Sequence, residues 1–129
     1  MKYLKKYKIF ESISEEDIKD ILLELSDKGW SVSITDPLIA YSGESSNIRA
    51  ILVKGVNRMY QEVNELTWSE LKDYALRLKD YLGDNFESFM WRPFVRAVRK
   101  GENPYYTVDL NEDTQIDRNI WSFVIKYKI

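Results

Sequence analysis

Apolar residues recur along this chain with two different periods, and each period marks a kind of element. In "SISEEDIKDILLELSDKGW", Ile18, Ile21, Leu22 and Leu25 fall at the three- and four-residue spacing of one helix face. Ser14 stands where an N-cap belongs, Glu15, Glu16 and Asp17 occupy the first turn beside the positive helix end, and Gly29 supplies the stop. Ile13 and Ile18 have the spacing of a hydrophobic staple. "LTWSELKDYALRLKDYLGD" predicts a second helix, with Leu71, Tyr74, Ala75, Leu78, Tyr81 and Leu82 on one face and Gly83 at its end. Thr67 and Glu70 have the spacing of a capping box, and Leu66 and Leu71 that of a staple.

Elsewhere the period is two. Trp30, Val32 and Ile34 alternate with Ser31, Ser33 and Thr35, and "YYTVDL" places Tyr106, Val108 and Leu110 on one side. The last strand is the cleanest: Trp121, Phe123, Ile125, Tyr127 and Ile129 alternate with Ser122, Val124, Lys126 and Lys128. "IRAILVKG" is strand-like, while in "ESFMWRPFVRAV" Pro93 argues for an edge strand or a bulge. A strand around Tyr7 to Phe10 is a further candidate, and "DPLIAYSGESSN" reads as a strand end and exposed loop. The order α, β, β, α, β, β, β predicts one α+β domain over residues 1–129. Its simplest architecture is a single mixed or antiparallel sheet of about five strands, with two amphipathic helices packed on one face. The other face would carry Ser, Thr, Lys and some aromatics, which makes it a candidate binding surface.

Composition narrows function more than fold. The chain has 129 residues, a length at which one core folds without staples. Aromatics make up 14% of it, which argues against disorder. Lys plus Arg number 19 and Asp plus Glu 21, so the net charge of -2 offers no global case for nucleic acid or an anionic membrane. With no cysteine and no histidine, disulfides, thiolate catalysis, Cys- or His-based metal sites and Ser-His-Asp chemistry are excluded. No stretch has the ~20 apolar residues of a membrane span, and the basic N-terminus is not followed by a signal-type apolar run. A cytoplasmic, non-enzymatic protein without a cofactor is the expectation.

Three segments could still carry chemistry. "DLNEDTQIDRNI" sets Asp109, Asn111, Asp113 and Asp117 at the first, third, fifth and ninth places of a calcium loop. Its sixth place, which needs Gly, is Thr114, and its twelfth, which needs a bidentate Glu, is Ile120. A solvated connection between strands is the better reading, with no metal ligands and no catalytic residues. A carboxylate-based, metal-dependent hydrolase around Asp109, Asp113 and Asp117 is the weakest alternative. The first helix is acidic from Glu11 to Asp27 and would suit a basic partner or serve as an ordinary solvated face.

"MWRPFVRAVRKG" has the opposite character. It interleaves Trp91 and Phe94 with Arg92, Arg96, Arg99 and Lys100, and no acid occurs from Ser88 to Gly101. Such a mixture serves a protein interface, where Trp, Phe and Arg act as anchors. It also serves single-stranded nucleic acid or nucleotides, or a strand with Arg stems over one face. These six residues are the candidate partner-binding set.

"LLELSDKGWSVSI", "LRLKDYLGDNF" and "IDRNIWSFVIKYK" resemble segments of short accessory proteins of large tailed bacteriophages. The resemblance covers about a third of the chain and carries over no functional residues. It implies a setting in the cytoplasm of a host bacterium and action by binding a host component. The leading expectation is therefore an interaction protein that binds a bacterial protein partner, or itself, through the open sheet face or the acidic helix. The alternative is a nucleic-acid or nucleotide binding module using residues 91–100.

Overall fold

The structure, a computed structural model, describes residues 13–35, 48–57, 62–94 and 99–129. The expected strand around Tyr7 to Phe10, the loop from Asp36 to Asn47 and Arg96 lie outside the described residues. The elements are α1 (Glu15–Ile21), α2 (Leu23–Asp27), β1 (Ser31–Thr35), β2 (Ile48–Lys54), β3 (Val56–Asn57), β4 (Glu62–Val63), α3 (Trp68–Leu82), β5 (Phe86–Arg92), β6 (Tyr106–Val108) and β7 (Ser122–Lys128). Five strands form one antiparallel sheet in the order β1-β2-β7-β5-β6, and β3 and β4 pair separately. The class is α+β.

The first helix is made of two pieces. Leu22, at φ -96 and ψ 8, separates α1 from α2, yet the buried stripe Ile18, Leu22, Leu25 runs through the junction. The Ser14 side chain accepts from the Asp17 amide, as an N-cap should. Gly29 lies at φ 92, in the left-handed region open to glycine, and lets the Trp30 amide reach back to the Leu25 carbonyl. Thr67 differs from the capping-box expectation: its hydroxyl pairs with Ser69 Oγ at 3.0 Å and does not cap the backbone.

Two tyrosine hydroxyls clasp the helices together. Tyr74 donates to Glu24 Oε2 at 2.6 Å, and Tyr81 donates to Asp17 Oδ2 at 3.0 Å while accepting from the Ser14 amide. Hydrogen bonding to the Glu24 carboxylate, followed by burial, raises the Tyr74 pKa; for Tyr81 burial is the larger cause of the rise.

All the helices among the described residues pack on one sheet face. Ile51 and Val53 of β2, Phe123, Ile125 and Tyr127 of β7 and Phe89 and Trp91 of β5 form a single cluster with Leu71, Tyr74, Ala75, Leu78 and Leu82 of α3 and Ile18, Leu22 and Leu25. β5 is an inner strand, neither an edge nor ambiguous. It ends at Arg92 just before Pro93, so the missing proline N–H falls beyond its ladder, and its irregularity lies between Phe86 and Ser88. The strand pair β3–β4 is not visible in the hydrophobic pattern. It is tied in at Gly55, whose amide donates to the Trp121 carbonyl and whose carbonyl accepts from the Asn64 amide. A Cβ at Gly55 would stand 1.8 Å from the Asn64 oxygen, so the close backbone approach requires glycine.

The acidic connection before β7 is closed by side chains of α3 and by its own polar groups. Lys79 and Lys72 donate to the Leu110 and Glu112 carbonyls, and Trp68 Nε1 donates to the Thr114 carbonyl at 2.8 Å. Buried Thr114 donates its hydroxyl to the Asp109 carbonyl and accepts from the Asn111 amide. The Asn111 side chain accepts from the Asp113 amide in an Asx-type turn. Lysine ammonium groups thus hold the backbone of the connection from its second and fourth places, which are not ligand positions of a calcium loop. Among the described residues no three acidic side chains come together at metal-binding spacing.

Candidate binding face

Antiparallel register puts facing residues on the same side of a sheet, so the other face, helix-free among the described residues, can be read row by row. One row runs Ser33, Leu52, Val124, Met90, Thr107. On one side of it lies Ser31, Lys54, Ser122, Arg92, and on the other Thr35, Ala50, Lys126, Ser88, with Lys128 beyond. The middle of the face is apolar: Val124 is buried and Leu52 and Met90 are half-buried. Around it stand Lys54, Arg92, Lys126 and Lys128 among small hydroxyl residues. The five strands contain one acid, Glu87, which pairs with Lys128 at 2.9 Å.

Trp121 anchors one end of this face. Alternation predicts its ring beside Phe123 in the core, but Trp121 precedes the regular strand and stands outside that cluster. Its ring lies instead against Arg92, whose Cζ is 4.6 Å from the centroid, and Lys54, whose Nζ is 5.9 Å away. Arg92 also approaches the Tyr105 ring, at 5.6 Å, and the Tyr105 hydroxyl meets Ser122 Oγ at 3.0 Å. The Phe94 ring meets Trp121 edge-on at 5.7 Å. Cations over aromatic faces hold their charge at a fixed place with part of the stem covered.

The candidate set from the sequence separates here. Arg92 and Phe94 come together on Trp121. Trp91 faces the other way: it is 7% exposed, belongs to the helix-side core and packs on Tyr106 at 5.0 Å. Its ring is therefore a packing element of this fold. Arg99 and Lys100 are exposed on a turn closed by the Glu102 amide on the Arg99 carbonyl, with Gly101 at φ 91. They make no hydrogen bond or ion pair with the Trp121 cluster among the described residues. Lys54, Tyr105, Trp121, Lys126 and Lys128 are absent from the sequence-derived set. The alternation of Ser122, Val124, Lys126 and Lys128 marked one strand of the face, but the joining of Lys54 and Arg92 depends on strand order.

Two clefts elsewhere, of about 420 and 370 Å³, open beside Thr67, Lys72 and Arg118 and beside Lys79, Glu87 and Asp109. No helix among the described residues is long and apolar enough to cross a membrane. No family model, no curated protein and no solved structure matches the chain.

Proposed function

We propose that this protein is a non-catalytic binding module whose helix-free sheet face docks an acidic protein surface. The observation that carries the reading is the apolar row Leu52, Val124, Met90 bordered by Lys54, Arg92 and Lys126. An apolar centre inside a polar rim is the anatomy of a protein interface. Charges of one sign on the rim speed encounter with an acidic partner and exclude basic ones. The resemblance to phage accessory proteins adds a setting, in which the partner is a protein of the bacterial host or the chain itself. A non-catalytic role agrees with the lack of histidine and cysteine and with the pairing of the Thr67 and Ser69 hydroxyls to each other in the larger cleft.

The nucleic-acid reading keeps one observation, the Arg92–Trp121–Phe94 cluster. Stacking of bases needs ring faces open to solvent, whereas Trp121 is 9% exposed beneath its two cations. Phe94 alone in the cluster presents an exposed ring. The test is fluorescence titration of the full chain with an amphipathic Glu/Leu peptide, its Lys/Leu counterpart and oligothymidylate. The expected result is saturable binding of the Glu/Leu peptide that weakens with salt and is lost in the Lys54→Glu, Lys126→Glu variant. Tighter binding of oligothymidylate, or no binding of any probe, would overturn the reading.

A further inference from the structure

We infer that the acidic surface docked by this face is the α1–α2 arm of a second copy of the chain, an inference that rests on the reading of the face just given. The arm carries six carboxylates, Glu15, Glu16, Asp17, Asp20, Glu24 and Asp27, against Lys19. Asp17 and Glu24 are engaged by Tyr81 and Tyr74. Glu16, Asp20, Leu23 and Asp27 fall at successive four- and three-residue steps, on the side opposite Ile18, Leu22 and Leu25. All four are exposed, and Leu23, at 53% exposure, is among the most exposed large apolar residues described. None of the three acids makes a hydrogen bond or ion pair among the described residues. The outward stripe is thus an apolar knob bracketed by carboxylates, the inverse of an apolar row bracketed by cations.

The dimensions agree as well as the charges. Thirteen residues from Glu15 to Asp27 make a helical arm ~20 Å long. Five strands at ~4.8 Å spacing make a sheet ~19 Å across. Laid across the strands, the arm sets Leu23 over Leu52, Val124 and Met90 with acids within reach of Lys54, Arg92 and Lys126. Arm and face lie on opposite sides of the same sheet, so the contact is head-to-tail. Such a heterologous contact does not close as a two-fold dimer and builds rings or open chains.

The test is sedimentation velocity of the full chain across a concentration series, at ~10 mM and ~1 M salt, where charges are screened beyond about 30 and 3 Å. Mass rising with concentration at low salt and a monomer at high salt is the expected result. The Asp20→Lys, Asp27→Lys variant and the Lys54→Glu, Lys126→Glu variant should each stay monomeric, and their equimolar mixture should associate again. Leu23→Ser, at a position whose exposure spares the fold, should weaken association ~10-fold or more. A wild-type monomer up to about 1 mM protein, the range of the weakest specific contacts, would overturn the inference, and so would assembly indifferent to these variants. Binding of the Glu/Leu peptide by such a monomer would leave the acidic-partner reading standing while removing the second copy; failure of both would remove both.

Discussion

Replacing Trp91 and Phe94 by alanine should separate core from surface within one four-residue stretch. Trp91 is 7% exposed in the helix-side core, whereas Phe94 is 39% exposed. A buried tryptophan removes ~200 Å² from water, about 5 kcal/mol at ~25 cal/mol per Å², and large-to-alanine core changes cost 3–5 kcal/mol. The Trp91 indole N–H has no protein acceptor among the described residues, so its removal offsets part of that loss. The expected cost of Trp91→Ala is ~3–4 kcal/mol, a large share of the 5–15 kcal/mol typical of a domain. Phe94→Ala should lose ~1 kcal/mol, the scale of one edge-on aromatic contact. The assay is urea unfolding followed by far-UV circular dichroism, because Trp91 is itself a fluorophore. With a slope of about 2 kcal/mol per molar, the midpoints should fall by about 1.5–2 M and ~0.5 M. A Trp91→Ala midpoint within ~0.5 M of wild type, or a Phe94→Ala loss as large as that of Trp91→Ala, would refute the reasoning. Trp91→Phe, which keeps a ring and discards the orphan donor, should cost less than ~1.5 kcal/mol.

Other perturbations probe the clasp, the junction and the acidic connection. Tyr74→Phe removes a hydrogen bond to a carboxylate and should cost ~1 kcal/mol in the same unfolding assay. The folded-state pKa of Tyr74 and Tyr81 is raised, so their contribution is present in full below the unfolded value near 10. It is lost as pH rises through the folded values, and the Tyr74→Phe, Tyr81→Phe double variant should flatten the alkaline limb of a stability–pH curve. Gly55→Ala forces a methyl group against the Asn64 carbonyl and should destabilise by ~1–3 kcal/mol, visible as a lower Tm. Thr114→Ala deletes both hydroxyl bonds of the connection and should cost ~1–3 kcal/mol; calcium should not restore its Tm, because the loop keeps neither the sixth-position Gly nor the twelfth-position Glu.

Much of the fold was legible because its elements announce themselves locally. The buried stripe Ile18, Leu22, Leu25, the Ser14 cap and the alternation from Phe123 to Tyr127 each follow from a periodicity of one short segment, and the structure shows all of them. The features that differ depend on distant residues. Thr67 has the neighbours of a capping box, but a hydroxyl two residues on competes for its side chain. Pro93 made its segment look like an edge, yet it falls one residue after the ladder ends, and β6 takes the outer place. β3 and β4 are two residues each, too short for any period, and are bound through the backbone of Gly55.

The candidate face was hidden for a different reason. A net charge of -2 reads as balance, but among the described residues four cations share one sheet face and six carboxylates share one helical arm. Each of the three central strands contributes only one or two cations to the helix-free face: Lys54 from β2, Arg92 from β5, Lys126 and Lys128 from β7. No single window along the chain holds Lys54, Arg92, Lys126 and Lys128 together, and of the basic window from Arg92 to Lys100 the described cations are divided between a strand end and an exposed turn. The cations meet because β7, last in sequence, is central in the sheet, with β2 on one side and β5 on the other. That order places Ser122 between Lys54 and Arg92 and lets Trp121 leave the core to sit against both. The acids are local by contrast, because one helical arm holds six of them within thirteen residues. A chain that sorts its charges in this way, with one sign in a contiguous helix and the other assembled by strand order, acquires its basic surface only on folding. Salt-dependent association should therefore disappear with the sheet register while the arm keeps its charge, and an isolated peptide of residues 13–29 should compete for the face at low ionic strength and not at ~1 M salt.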